Sequence, residues 1–243
     1  MRRHRARVAR GAIIDRLVVG IVVLVAAAVV GTVLLPATPA PAHHVGTYVA
    51  RDNEISANFK QLKFAIQARK FEVADRLFEA GALRKELRAR AAGLPAGLEN
   101  TIRDGLRTKD PARAERGLMI FFVALARDLA TDAERQLGQP GPRQARVAAG
   151  QKFLEAVWRY YNLVDFAVSQ HDPKAAVAMR LAFDDAEGYA RGPAAPAATN
   201  NPPPASAPPA IPADPERLRA ALQQIARILA GVIDTSSTAR RES

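Results

Sequence analysis

A run of nineteen uncharged, mostly apolar residues from Leu17 to Leu35 limits this chain more than any other feature of its sequence. At ~1.5 Å per residue, a helix of this length reaches about 28 Å, close to the ~30 Å hydrocarbon core of a bilayer. We therefore predict a transmembrane helix over residues 17–35. Ala40-Pro41-Ala42 resembles a signal-peptidase site, but the apolar run exceeds the ~7–15 residues usual in a signal peptide, which favours an uncleaved signal anchor.

The charges on either side of this run predict its orientation. The leader, residues 1–16, contains six arginines and one aspartate, whereas residues 36–50 contain no charged residue. Lys and Arg are retained on the cytoplasmic side of a spanning helix. The abundance of Ala, Arg, Pro and Gly is typical of bacteria with GC-rich genomes. We expect a single-pass protein of the bacterial inner membrane, with a cytoplasmic N-terminus and a periplasmic main domain.

The net charge of +11 does not indicate a nucleic-acid partner. The leader supplies six positive charges and one negative charge, or +5, and residues 51–191 contain 24 basic and 19 acidic residues, or another +5. No basic stripe is interleaved with aromatic residues, so we predict no nucleic acid among the partners. The chain has no cysteine, which excludes disulfides, thiolate metal sites and Cys nucleophiles.

Composition divides the chain after the membrane segment. A Pro/Ala tether over 36–48 precedes a predicted helical domain over 49–191, and an uncharged linker with eight prolines covers 192–213. An amphipathic helix over 214–234 and a polar tail over 235–243 follow. Because the apolar spacing is helical and no alternating strand pattern occurs, we predict an all-α fold, an irregular antiparallel bundle of helical hairpins.

The apolar spacing places individual helices within the domain. One face of a first helix is formed by Ile55, Phe59, Leu62 and Ile66, and a second helix is predicted from Val73, Leu77, Ala80, Leu83 and Leu87. A short helix follows over 98–106. The helix that begins at Pro111 is apolar on every side from Leu118 to Ala126, so we expect it to be central. Later helices are marked by Phe153, Val157, Tyr161, Val164 and Val168, and by Phe183, Ala186 and Tyr189.

A short motif recurs at three helix joins. It begins at Lys70, Asp110 and Asp172, and a small Ala lies three residues after the following Phe or Pro. Asp110 and Asp172 are predicted helix caps, with proline in the first helical position. The motif resembles the helix-turn-helix units of tetratricopeptide proteins, but its spacings of 40 and 62 residues are unequal. Because a stacked solenoid needs a fixed period, we predict an irregular bundle instead.

Two sets of residues are candidate metal ligands. His43 and His44 could bind copper if cleavage after Ala42 exposed a terminal amine, and imidazole suits copper, nickel and zinc. Asp184 and Glu187 share a helix face, where carboxylates can hold hard cations, while Asp185 diverges. Solvated histidines and a salt-bridged helix face are the ordinary alternatives. No cofactor is predicted.

Asp165 is the buried polar candidate. It lies one turn from Tyr161 and two turns from Trp158 on the most aromatic segment of the chain. A carboxylate on such a face needs a partner, for which Arg159, Tyr160 or an arginine of a neighbouring helix is available. A core hydrogen bond is expected, with ligand binding as the alternative.

The C-terminal helix has a continuous apolar stripe, formed by Leu218, Leu222, Ile225, Leu229 and Val232. Their alternating steps of four and three residues are typical of a two-helix contact, and so short a helix is not stable alone. The stripe therefore docks either on the chain's own domain or on a partner protein.

These observations favour binding over catalysis. Six serines are present, none in a Gly-x-Ser-x-Gly elbow, and the chain contains neither a phosphate-binding loop nor a His-Glu-x-x-His helix. We predict no enzymatic activity and no catalytic residues. The expected function is that of a membrane-anchored periplasmic scaffold, an adaptor or accessory subunit of an inner-membrane or envelope complex. The alternatives are a periplasmic copper, iron or small-ligand-binding protein and a sensor domain acting through a partner.

Overall fold

The computed structural model of the protein describes residues 51–191 and 212–238. These residues form eight α-helices and no strand, which confirms the predicted all-α class. A single 3₁₀ turn, Ala91–Gly93, follows the third helix. The helices are α1 (Glu54–Gln67), α2 (Phe71–Ala80), α3 (Ala82–Ala89), α4 (Leu98–Arg107), α5 (Pro111–Leu137), α6 (Arg143–His171), α7 (Pro173–Arg191) and α8 (Pro215–Thr238).

The predicted leader, transmembrane helix and tether lie outside the described residues, as does the linker between 192 and 211. Within 51–191 and 212–238, none of the helices has both the length and the apolar character needed to cross a bilayer.

The four long helices α5 to α8 form an up-and-down four-helix bundle. α5 packs against α6 and α8, and α7 packs against the same two helices. Short connections make α5, α6 and α7 successively antiparallel. The amide of Asp214 donates to the carbonyl of Tyr189 at 2.9 Å, which places the start of α8 beside the end of α7. The C-terminal helix is therefore the fourth member of the bundle rather than a separate element.

Helix α5 is the centre of the fold, as its sequence predicted. All nine residues from Leu118 to Ala126 are buried. They are covered on every side because α4 and α1 pack on the surface of α5 that α6 and α8 leave open. An aromatic cluster continues this core, with Phe122 centred 4.5 Å from Phe59 of α1 and 5.9 Å from Tyr160 of α6.

The predicted single helix over residues 73–87 is wrong, because the structure divides it at Gly81 into α2 and α3. The side chain of Asn58 occupies the break: its Nδ2 donates to the carbonyl of Leu77 at 3.2 Å, and its Oδ1 accepts from the amide of Leu83 at 3.1 Å. A Cβ at Gly81 would lie 2.0 Å from Asn58 Oδ1. Asn58 thus satisfies backbone groups that a continuous helix would pair internally.

The predicted core face of α2 also needs correction. Val73 and Ala80 are exposed, whereas Phe71, Ala74 and Phe78 are buried. Once the helix ends at Gly81, α2 no longer has to share one face with α3. The rings of Phe71 and Phe78 turn inward, because they have more apolar area to remove from water than valine or alanine.

The recurring motif marks equivalent turns at its first two joins. Arg69 and Lys109 both adopt φ +58°, and the residues after them donate across five residues to the carbonyls of Ala65 and Gly105. This pattern is a Schellman motif. At the third join, Asp172 accepts from the amide of Ala175 at 3.0 Å, the predicted cap. The alanines that follow the turns, Ala74, Ala114 and Ala176, are all buried at helix contacts.

Candidate functional site

A groove lies between α1 and α6, with the first turns of α5 as its floor. We call it the α1–α6 groove, and its volume is about 270 Å³. Its apolar lining consists of Phe59, Leu118, Met119, Leu163, Val164 and Ala167, with Phe166 at its edge. Phe166 is 72% exposed. A groove with an apolar floor and an exposed ring can receive the apolar side chains of a ligand.

Polar side chains form the rim of the α1–α6 groove, namely Lys63, Gln67, Glu115, Arg116, Gln170 and His171. Lys63 Nζ lies 5.8 Å from the centre of the Phe59 ring, a cation–π contact. Neither Lys63 nor Arg116 forms a salt bridge with any carboxylate in the described part of the chain. The rim therefore has two cations and one carboxylate available to a ligand.

The α1–α6 groove is not among the predicted sites, although the sequence contains a signal for it. Leu163, Phe166, Ala167 and Gln170 follow one another at steps of three, one and three residues, which places them on one side of α6. The buried stripe of the same helix continues through Val164 and Val168 instead. A second stripe beside the core stripe, with a large aromatic residue in it, indicates an additional contact surface.

Asp165 lies between α6 and α7, where its Oδ2 is 3.5 Å from Nη2 of Arg180. The nearby rings of Trp158, Tyr161 and Phe183 are packed together, with Trp158 and Phe183 centred 5.1 Å apart. Burial raises the pKa of Tyr161 far above its usual value, and the negative charge of Asp165 adds to this shift. Of the partners considered, Arg180 of the neighbouring helix is the one beside Asp165. The arrangement joins two helices and lies outside the α1–α6 groove.

A network of ion pairs joins α2, α3 and α4. Glu99 Oε1 accepts from Arg84 Nε at 2.7 Å and from Arg103 Nη2 at 2.6 Å, and it lies 3.0 Å from Arg88 Nη2. Glu79 pairs with Arg103 at 2.9 Å and also with Arg84. Hydrogen bonds from Arg88 and Arg84 lower the pKa of Glu99 to about 2, against the opposing effect of burial. This carboxylate is therefore ionised at neutral pH and is held by arginines rather than poised to exchange a proton.

Of the candidate metal ligands, Asp184 and Glu187 lie within the described residues. His43 and His44 lie outside the described residues. Asp184 is exposed, whereas Glu187 is buried and pairs with Arg191. No group of three or more metal-ligating side chains occurs within the described ranges. Asp184 thus faces solvent and Glu187 the interior, and a metal role for them stays a prediction.

The apolar stripe of the C-terminal helix is covered by the chain itself. Leu218, Leu222, Ile225, Leu229 and Val232 are all buried in the core of the bundle. Arg219 pairs with Glu134 of α5 at 2.7 Å, and Arg146 of α6 pairs with Glu216 at 2.6 Å. The sequence left two alternatives open for this stripe. In the structure it docks on the chain's own domain. These five residues are not available to a partner in this arrangement.

Comparison with known proteins assigns no family. The chain matches no protein-family model, and neither the curated proteins nor the solved structures include a significant match to it.

Proposed function

We propose that this chain is a single-pass inner-membrane protein whose helical domain lies in the bacterial periplasm and acts by binding another protein, as an adaptor or accessory subunit of an envelope complex. The sequence supports the anchor through the uncharged run over 17–35 and the arginines before it. The observation that carries the binding role is the α1–α6 groove, an apolar concave surface with the exposed ring of Phe166 at its edge.

Binding is favoured over catalysis by the state of the acidic groups. Glu99, whose pKa is lowered to about 2, is held by three arginines. Asp165 lies beside Arg180. Carboxylates held in this way fix helices in place, whereas a general acid or base needs a pKa near the working pH and access to a substrate.

The proposal is tested by the mass of the complex in which the chain is found. Intact cells are treated with a cross-linker, the inner-membrane fraction is solubilised in mild detergent, and the affinity-tagged full chain is isolated for light scattering. We expect a complex that contains a second polypeptide in fixed ratio. Recovery from the soluble fraction, or recovery of a single chain with and without cross-linking, contradicts the proposal.

A further inference from the structure

We propose that the α1–α6 groove binds about two turns of an acidic amphipathic helix presented by a partner protein. The apolar side of this helix lies on the groove floor, and its carboxylates lie beside Lys63 and Arg116. The inference rests on the proposed function and names what the partner must present. It is carried by the shape, the lining and the charge of the groove.

The shape of the groove suits the side chains of a peptide. Its α6 wall runs over the nine residues from Leu163 to His171, about 12 Å of helix, which matches two turns of a helix lying alongside. Its volume of about 270 Å³ is below the ~300–1,000 Å³ typical of small-molecule pockets. A row of two or three apolar side chains at helical spacing can enter such a groove while the rest of the helix stays in solvent.

The lining leaves apolar surface that a partner can cover. Phe166 is 72% exposed, and Leu163 and Ala167 on the same side of α6 are partly buried. An anchor residue that packs against Phe166 and Leu163 would remove the exposed apolar surface of both side chains from water. Aromatic side chains and Met are enriched at protein interfaces for this reason.

The charge of the rim selects an acidic partner. Lys63 and Arg116 have no salt bridge in the described part of the chain, whereas Lys60 and Arg113, each three residues earlier, are paired with Asp52 at 2.8 Å and with Asp104 at 3.1 Å. Glu115 is the carboxylate of the lining, so the rim remains positive by one charge. A helix with glutamates flanking its apolar stripe complements this rim, and one with lysines in the same positions does not.

The test uses the full chain in phosphatidylcholine nanodiscs and a fluorescein-labelled helical peptide. The peptide has leucines at i, i+3, i+4 and i+7 and glutamate or glutamine elsewhere. A lysine peptide replaces each glutamate with lysine, and a third peptide scrambles the leucines. Fluorescence anisotropy measures the Kd of each peptide. We expect the Kd of the glutamate peptide to be about tenfold lower than that of the other two, which corresponds to ~1.4 kcal/mol of binding free energy.

Two variants connect the binding to the groove. Lys63→Glu with Arg116→Glu is expected to weaken the glutamate peptide about tenfold and to make the lysine peptide the preferred ligand. The charge-matched control, Lys152→Glu with Lys174→Glu, changes two exposed lysines that do not line the groove and should keep the original preference. Phe166→Ala is expected to weaken binding, whereas Phe64→Ala, a phenylalanine that is 69% exposed and lies outside the lining, is not. Circular dichroism confirms that each variant is folded.

Four results overturn this inference. The first is equal binding of the glutamate and lysine peptides, and the second is that no peptide binds. The third is a charge-reversed variant that still prefers the glutamate peptide. The fourth is that Phe166 mediates contact with phosphatidylglycerol vesicles, or with a second copy of the chain, instead of with a peptide. If the complex isolated from cells persists while one of these results is obtained, the proposed adaptor function stands and the assignment of the groove fails.

Discussion

At the scale of single residues, contacts between small residues decide how closely the helices approach one another. Gly105 of α4 lies against the first turn of α5, where a Cβ would be 2.5 Å from the amide nitrogen of Ala114 and 2.9 Å from its Cα. Both are backbone atoms and cannot move aside alone. The close approach brings α4 into contact with the central helix and needs glycine at this position.

Gly105→Ala is therefore expected to lower the free energy of unfolding by about 1–3 kcal/mol, the cost typical of overpacking. Alanine is the better helix former by up to ~1 kcal/mol, so without the clash the same change would stabilise the protein. Gly188→Ala is the matched control, since a Cβ there meets no atom within 4 Å. Guanidinium unfolding of the full chain in mild detergent, followed by circular dichroism, measures both variants. Equal effects of the two changes would show that the α4–α5 contact is looser than described.

The ion pairs of Glu99 predict how stability depends on pH. The arginines hold the pKa of Glu99 at about 2 in the folded state, below the ~4.3 of an unfolded glutamate. Folding is therefore favoured by the ionised form, and its contribution is complete above about pH 4.5 and lost as pH falls towards 2. The lowered pKa of Glu79 acts in the same direction.

We expect Glu99→Gln to lower stability at pH 7 and to reduce the loss of stability between pH 4.5 and pH 2.5. Asp185→Asn, which removes an exposed carboxylate without an ion pair in the described ranges, serves as the control. Denaturant midpoints measured at several pH values give the comparison. If the stability of Glu99→Gln falls as steeply on acidification as that of the unchanged protein, other groups cause the acid sensitivity.

At the scale of helices, α8 completes the core. Its stripe is buried against α5 and α7, and the ion pairs from Arg219 to Glu134 and from Arg146 to Glu216 hold its first turns. At Gly150 of α6, a Cβ would come within 2.4 Å of Leu218 Cδ2, so α8 also packs tightly against this helix. The bundle is open on one side without α8.

Leu222→Ala is expected to cost about 2–5 kcal/mol of stability, as for other fully buried leucines. Gln223→Ala, at the next and exposed position, should change stability by less than ~0.5 kcal/mol. Urea unfolding of the full chain distinguishes the two. Similar small effects at both positions would mean that α8 leaves the bundle in solution and that its stripe is available to a partner after all.

The sequence predicted helices and caps better than it predicted their arrangement. The all-α class, the buried run around Phe121 and the cap at Asp172 follow from spacing and local chemistry. The break at Gly81 depends on Asn58, a residue distant in sequence, and could not be predicted from local pattern. The docking of α8 and the α1–α6 groove depend likewise on which helices become neighbours, which an apolar stripe alone does not specify.

At the scale of the whole molecule, the described domain has its own core. Residues from all eight helices contribute to one continuous apolar cluster. The chain closes the bundle across the proline-rich linker, because Tyr189 and Asp214 on either side of it are hydrogen-bonded. The C-terminal helix is thereby used within the fold, and the α1–α6 groove is the surface that we propose for a partner.

The central claim, a helical domain anchored on the outer side of the inner membrane, is tested most directly by the accessibility of introduced cysteines. The chain has no cysteine of its own, so Ala6→Cys in the leader and Ala148→Cys at an exposed position of α6 each supply a single thiol. A membrane-impermeant maleimide is added to spheroplasts before and after the membrane is permeabilised. We predict that Cys at position 148 is labelled in both conditions and Cys at position 6 only after permeabilisation, with both variants in the membrane fraction. Protection of position 148 in intact spheroplasts, or recovery of the chain with the soluble cytosolic proteins, would contradict the account.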